Sequence, residues 1–273
     1  MDPADEYYVG TCTHVGESDE IDACARRRLE WLHGMHGEGL RVKVALWGDD
    51  PVGFLHVMPI EICPWGPRGQ DLSVIPCLVV SGKVEGRGVG RALIHVAEEE
   101  ARCQGSKALV TTAYYSDFWF MPARFFERCG FSKVSSRQVI AEGEKEYLQE
   151  EAILWKVLDP SAQIPQFLQR KFEFQSVPGK VVVDLFWNTF CQTSSIEAHR
   201  VREVVAEFGD RVILHEYRAE DREIISRYGL PRGIFVDGRE IGWGYETPRD
   251  GIRGAISRAL GARAEGGDFR TTS

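Results

Sequence analysis

Two successive α/β domains are predicted for this 273-residue chain, from three observations. Short apolar strands alternate with amphipathic helices over residues 1–158. A proline-bounded break, Asp159-Pro-Ser-Ala-Gln-Ile-Pro165, follows, and the alternation then restarts and runs to residue 262. Charge divides at the same place: residues 1–158 carry 17 basic and 24 acidic side chains, a net of −7, whereas residues 159–273 carry 16 and 17, a net of −1. With 43% apolar residues the chain can fill two cores, at the usual ~100–200 residues per domain. The tail, 263–273, is polar and is expected to be flexible.

In the first block Tyr7–Thr11 reads as a short strand and Ile21–Met35 as a helix around the basic run Arg26–Arg28. Leu40–Trp47 and Val52–Ile60 read as strands joined by the turn Gly48-Asp-Asp-Pro51, and Cys63–Gly69 is a Pro/Gly-rich loop. Val74–Val80 is a strand, Gly88–Gln104 a helix with a solvated acidic patch at Glu98–Glu100, and Ala108–Tyr115 a strand. Pro122–Cys129 is a short helix, and Val134–Ala141 with Ala152–Leu158 closes the block as a hairpin. In the second block the order is strand Val181–Phe186, helix Ser195–Phe208, strand Val212–Tyr217, helix Asp221–Tyr228, strand Gly233–Val236, the turn Asp237-Gly238 and helix Gly251–Leu260.

Composition excludes several classes. A net charge of −8 is not the basic field that nucleic-acid binding requires. No apolar run reaches the ~18–20 residues that span a bilayer, and the acidic start MDPADEYY holds no secretory h-region, so no membrane partner and a cytoplasmic location are expected. The seven cysteines are scattered with no C-x2-C pair, which argues for reduced thiols and against a metal site.

The strongest local signal is the apolar strand Cys77-Leu-Val-Val80 running into Gly86, Gly88 and Gly90 at the head of an amphipathic helix. Glycines let backbone N–H groups approach a ligand, and a helix N-terminus adds its positive dipole end. With Arg87 and Arg91 beside them, these amides form a diphosphate cradle. A P-loop is excluded because no Lys-Ser/Thr follows the glycines, and the G-x-G-x-G spacing after several strands departs from a dinucleotide fingerprint. Glu85-Gly-Arg-Gly-Val-Gly90 resembles the acyl-CoA motif [QR]-x-x-G-x-[GA] of the GCN5-related N-acetyltransferases, with Glu85 replacing the usual Gln or Arg. Ala123-Arg-Phe-Phe-Glu-Arg-Cys-Gly-Phe131 is similar to the late helix-turn of that family.

The resemblance covers residues 5–158. It implies a mixed, splayed central sheet and direct acetyl transfer from acetyl-CoA to an amine. The implied cofactor contacts are Leu78, Val79 and Val80 for the pantetheine arm, and Glu85, Gly86, Arg87, Gly88, Val89, Gly90 and Arg91 for the phosphates. The family's acid, often a Tyr in the late helix, is replaced by Phe126, and Phe120 stands where an Asn is often found, so Tyr114 or Tyr115 is the substitute acid. Glu61 and Asp71, flanking the Pro/Trp loop, are candidate bases, with His56 as an alternative; Trp65 and Trp119 are candidate walls of the acceptor pocket.

In the second block Val181–Ser194 delivers Cys191 to a helix start, and Gly229-Leu-Pro231 precedes a strand and hairpin, similar to a thioredoxin fold with Pro231 at its cis-proline position. The helix dipole is expected to favour the Cys191 thiolate, the candidate reactive thiol. Ser194 in place of a second Cys excludes a dithiol cycle, and Ser194 with Glu197 has capping-box spacing. Both blocks together resemble the YoaP-like acetyltransferases, in stretches such as Trp119-Phe-Met-Pro122 and Phe186-Trp-Asn-Thr-Phe-Cys191. The expectation is an N-acetyltransferase using a small-molecule or peptide amine. The alternatives are a non-catalytic acyl-CoA sensor and a monothiol redox protein centred on Cys191. A homodimer is among the partners considered.

Overall fold

The computed structural model describes residues 3–12, 14–115, 120–141, 147–242 and 245–266. The chain divides into two compact units, the first made of residues 1–140 and 147–168 and the second of 141–146 and 169–273. Among the described residues no helix is long and apolar enough to cross a membrane.

The first unit begins with α1 (Pro3–Thr11), so the strand expected at Tyr7–Thr11 is instead helical. Pro3 opens the helix, Asp5 and Glu6 favour its positive end, and the Thr11 hydroxyl donates back to the Tyr7 carbonyl at 2.9 Å. Arg28, from α2 (Asp19–Met35), is 1% exposed and donates to the Val9 carbonyl at 2.6 Å, closing the open end of α1. The basic run is therefore only partly a surface feature. α2 starts where the Ser18 hydroxyl accepts the Ile21 N–H.

A six-stranded sheet follows, from β1 (Arg41–Trp47), β2 (Asp50–Pro59), β3 (Ser73–Val80), β4 (Ala108–Tyr114), β5 (Ser132–Ala141) and β6 (Tyr147–Val157), in the spatial order β1-β2-β3-β4-β6-β5. β3 and β4 are parallel, and β1–β2, β2–β3 and β4–β6 are antiparallel. α3 (Val89–Cys103) and α4 (Ala123–Arg128) contribute Leu93, Ala97, Ala123 and Phe126 to one core with Leu55, Ile75, Leu109 and Leu154 of the sheet. Alternation along β2 turns Phe54 and His56 to the opposite face, where Tyr8 and Arg28 meet the Phe54 ring. The acidic patch of α3 is not freely solvated: Glu100 pairs with Lys43 at 2.7 Å and Glu98 with Lys156 at 2.5 Å.

The second unit is built on β7 (Val181–Trp187), buried along its whole length. It pairs in parallel with β8 (Val212–Arg218) and antiparallel with β9 (Gly233–Val236), giving the order β10-β9-β7-β8 with β10 (Arg239–Ile241) at one edge. Val181, Val183 and Leu185 pack with α5 (Gln192–Glu207) and α7 (Arg249–Gly266). Phe186 faces the other way, among Phe172, Tyr217, Tyr228 and Phe235, beside α6 (Arg222–Tyr228). One expectation is corrected here. Cys191, not Ser194, is the N-cap of α5; the Ser194 hydroxyl accepts the Asn188 N–H, and Glu197 is buried on Arg232 and Thr247, so no capping box forms. No cis peptide occurs among the described residues, so the bond to Pro231 is trans.

Two buried titratable groups give the units opposite pH responses. Burial, aided by the Arg28 charge, holds His56 well below its ordinary pKa, so its neutral form stabilises the fold above about 6.5 and this contribution is lost as pH falls. Burial raises the Asp184 carboxyl against the opposing bonds from His215 and Tyr217, so its contribution is present in acid and lost as pH rises through the raised pKa. Denaturation curves across pH should show Asp184→Asn gaining stability relative to the wild type towards neutrality. His56→Leu should gain towards acid. Parallel curves for variants and wild type would disprove both assignments.

Candidate functional site

β3 and β4 bond to each other only over Ser73–Ile75 and Leu109–Thr111, and then diverge. Pro76 brings no N–H to the ladder at that point, and the Thr111 hydroxyl donates to the Ile75 carbonyl at 2.8 Å, where the last rung stands. Beyond it β3 stays bound to β2 as far as Val80, and β4 to β6 as far as Tyr114. The Ser81 N–H donates to the Val52 carbonyl at 2.8 Å. Strand alternation then turns Val79 towards β2 as well, and leaves Leu78 and Val80 presenting N–H and C=O to the cleft. Across the cleft the Tyr114 N–H donates to the Met121 carbonyl, so the lead into α4 is sewn to the far wall.

β3 runs through a 3-10 turn at Gly82–Val84 into the glycine loop. Gly86 and Gly88 have φ of 73° and 81°, a conformation that favours glycine, and a Cβ on either would meet nothing within 4 Å. Gly88 caps α3 without side-chain help, and the first helical bond runs from the Ala92 N–H to the Gly88 carbonyl. The N–H groups of Val89, Gly90 and Arg91 therefore lack helical acceptors, with the helix dipole behind them. Gly90 has a different role from its neighbours. A Cβ there would stand 3.0 Å from Phe125 Cζ, so this glycine lets α3 close on α4. Glu85 and Arg87 are exposed, and the Arg87 guanidinium lies over the Trp47 ring at 5.3 Å.

The candidate bases lie elsewhere. Glu61 accepts the Asp71 N–H at 2.7 Å, and Asp71 accepts Lys107 Nζ at 2.9 Å. Both precede the first residue of β3, and the glycine loop follows its last, a separation of roughly 23 Å along a strand of this length. The structure thus keeps Glu61 and Asp71 away from the loop. His56 is fully buried on the Arg28 face, Trp65 is partly buried, and Trp119 falls outside the described residues. Phe126 is fully buried between Phe125 and Phe131 and is part of the core.

The two tyrosines diverge. Tyr114 OH donates to Glu151 Oε1 at 3.5 Å, and Arg137 Nε donates to the other carboxylate oxygen at 2.6 Å. Tyr115 OH donates to Glu127 in a short bond beneath Lys133. Burial, and then the Glu127 carboxylate, push the Tyr115 phenol up to about 12. Sequence reasoning missed Glu127, Glu151 and Arg137, whose pairing with the tyrosines depends on strand register. In the second unit the Cys191 N–H is accepted by Asn188 Oδ1 at 2.8 Å, while Asn188 Nδ2 donates to the Pro231 carbonyl. The thiol is partly exposed at the start of α5.

Residues 38–133 match the acetyltransferase (GNAT) domain family. Similar solved structures include ribosomal-protein-alanine N-acetyltransferase from Brucella melitensis, with 20% identity and a TM-score of 0.40, over 49% of this chain and 78% of that one. Aminoglycoside 6′-acetyltransferase type Ii is 17% identical, with a TM-score of 0.43 over 58% and 93%. Aminoglycoside 6′-N-acetyltransferase complexed with coenzyme A is 14% identical, with a TM-score of 0.39 over 59% and 91%. No curated protein matches the chain.

The two glycine roles separate by experiment. Gly90→Val drives a side chain into Phe125 and should lower stability by about 1–3 kcal/mol in urea denaturation. Gly88→Ala meets no neighbour and should cost about 1–2 kcal/mol, from its left-handed backbone alone. Thr111→Val leaves the Ile75 carbonyl without its donor and should cost about 1–3 kcal/mol. A wild-type midpoint for Thr111→Val would show that the hydroxyl does not hold the last rung.

Proposed function

We propose that the first unit is an acetyl-CoA-dependent N-acetyltransferase, transferring acetyl directly to the amine of a small molecule or peptide. The observation that carries this reading is the cleft between β3 and β4 opening onto an uncapped helix start, within residues that match an acetyltransferase domain. The Val89, Gly90 and Arg91 amides hold the donor's diphosphate, and Leu78 and Val80 bond the pantetheine arm and the thioester carbonyl. Glu85 is exposed at the edge of this cradle and leaves the backbone donors intact.

In the reaction the amine lone pair attacks the thioester carbon, the C–N bond forms, and the oxyanion collapses with cleavage of C–S. A proton leaves the nitrogen and one is taken up by the departing thiolate. Tyr114 is the proposed acid. The Tyr115 proton is committed to Glu127, whereas Tyr114 holds Glu151 at 3.5 Å. Because Glu61 and Asp71 are engaged at the far end of β3, the base is water at the cleft mouth.

The second unit belongs to this reading as a thioredoxin-like domain of YoaP type, supported by its β-α-β-α-β-β-α order on a four-stranded sheet. A cytoplasmic setting is supported by the seven free thiols. Burial of Phe126 favours a second reading, an acyl-CoA sensor without turnover.

Calorimetry with acetyl-CoA, CoA and NADH, followed by thiol release with a panel of polyamines, aminoglycosides and peptides, separates these readings. Micromolar binding of acetyl-CoA but not NADH, with amine-dependent thiol release, is the expected result. Gly88→Val should weaken acetyl-CoA about tenfold or more, and Tyr114→Phe should lower kcat about tenfold with KM for acetyl-CoA unchanged. Binding without release by any amine supports the sensor, and no binding overturns both.

A further inference from the structure

Tyr114 does not stand alone at the end of β4. It is the register partner of Glu151 in the β4–β6 ladder, so the two side chains stand on one face of the sheet. The Glu151 side chain is 13% exposed, and its two oxygens have separate duties. Oε1 accepts the Tyr114 phenol at 3.5 Å, and Oε2 accepts Arg137 Nε at 2.6 Å. Arg137, from β5, is itself fixed from two further directions. Its Nη1 donates to the Leu168 carbonyl at 3.1 Å, and its guanidinium lies over the Phe167 ring at 4.3 Å. Residues 167 and 168 belong to the same unit as the strands. A guanidinium held by a carboxylate, a carbonyl and a ring does not turn freely, so it sets the orientation of the carboxylate it grips.

Tyr115 supplies the contrast. Its phenol donates to Glu127 in a short bond, and burial together with that carboxylate pushes it up to about 12. Lys133, over the same ring at 4.8 Å, is held by Glu150 at 3.2 Å. A phenol beside a carboxylate keeps its proton, because losing it sets two negative charges side by side. At Tyr114 the neighbouring carboxylate is paired with Arg137. When the departing thiolate takes the phenol proton, the O–H bond breaks and an S–H bond forms, and the negative charge passes from sulfur to the Tyr114 oxygen. That oxygen then shares Glu151 with a fixed guanidinium, which offsets the second charge. The proton leaving the nitrogen returns through water to the Tyr114 oxygen, and the phenol is restored.

We infer that Arg137 is a positioning residue for acetyl transfer: acting through Glu151, it orients the Tyr114 phenol and offsets the charge that develops there as the thiolate is protonated. The inference rests on the preceding subsection's reading of Tyr114 as the acid and adds the pair that makes it a competent one.

Thiol release from acetyl-CoA by the full chain, with spermine, kanamycin and trialanine as acceptors, tests it beside acetyl-CoA calorimetry. Arg137→Met should lower kcat about tenfold with KM for acetyl-CoA and for the amine unchanged, and Arg137→Lys should recover part of the loss. In a Tyr114→Phe background Arg137→Met should cost nothing further, since both changes remove the same step. A wild-type kcat in Arg137→Met overturns the inference and leaves the reaction reading intact. So does a full additional loss in the Tyr114→Phe background, which marks a structural effect independent of the phenol. Should Arg137→Met fail to bind acetyl-CoA, the same cycle is run with Arg137→Lys, which should lose about threefold alone and nothing on Tyr114→Phe. Tyr114→Phe at the wild-type rate removes the acid on which the inference rests. A wild type that releases no thiol with any of the three amines removes the reaction reading and the inference with it.

Discussion

The parting of β3 from β4 is the constraint on which the first unit depends. Backbone groups inside a sheet are almost always bonded, and an opened ladder needs compensation. Here three local features supply it. Pro76 has no N–H to leave unsatisfied, the Thr111 hydroxyl replaces a rung at Ile75, and the Met121 carbonyl takes the Tyr114 N–H. What remains open is the short edge at Leu78 and Val80. That edge runs through the glycine loop into the helix start at Gly88.

Much of this was legible in the sequence because it is encoded locally. The glycine loop, the helix after it and the apolar strand before it stand on adjacent residues, and their meaning follows from short-range backbone rules. α1 was not legible: Tyr7–Thr11 has strand-forming residues, yet Pro3, the acidic first turn and a buried arginine from another helix make it helical. Glu61 and Asp71 seemed close to the site only because they are close in sequence. Their carboxylates turn out to hold the Glu61–Asp71 loop and Lys107 in place at the other end of an eight-residue strand. The Tyr114–Glu151 and Tyr115–Glu127 pairs needed strand register and helix docking, which one sequence does not display. Gly90 is instructive in the same way, since its neighbour Phe125 is remote in the chain.

The second unit follows a different economy of polar groups. The turn that carries Cys191 is held by Asn188, which accepts from the Cys191 N–H and donates to the Pro231 carbonyl. Behind it Glu197 is almost fully buried, but it accepts two bonds from Arg232 and two from Thr247. Removing any one member of such a network strands the others in low dielectric, so the loop geometry is over-determined. The Ser194 hydroxyl serves the same end by accepting the Asn188 N–H, which explains why it is unavailable to cap α5.

The contact of Gly90 with the Phe125 ring has a further consequence for how a ligand would be met. An aromatic ring pressed against the first turn of α3 fixes where that turn's amides sit before anything binds. The donors then need little rearrangement when an anion arrives, and little conformational entropy is lost on binding. An alanine at that position would push the turn off its support by a few tenths of an ångström. The gain of one methyl group would then be paid in pre-organisation.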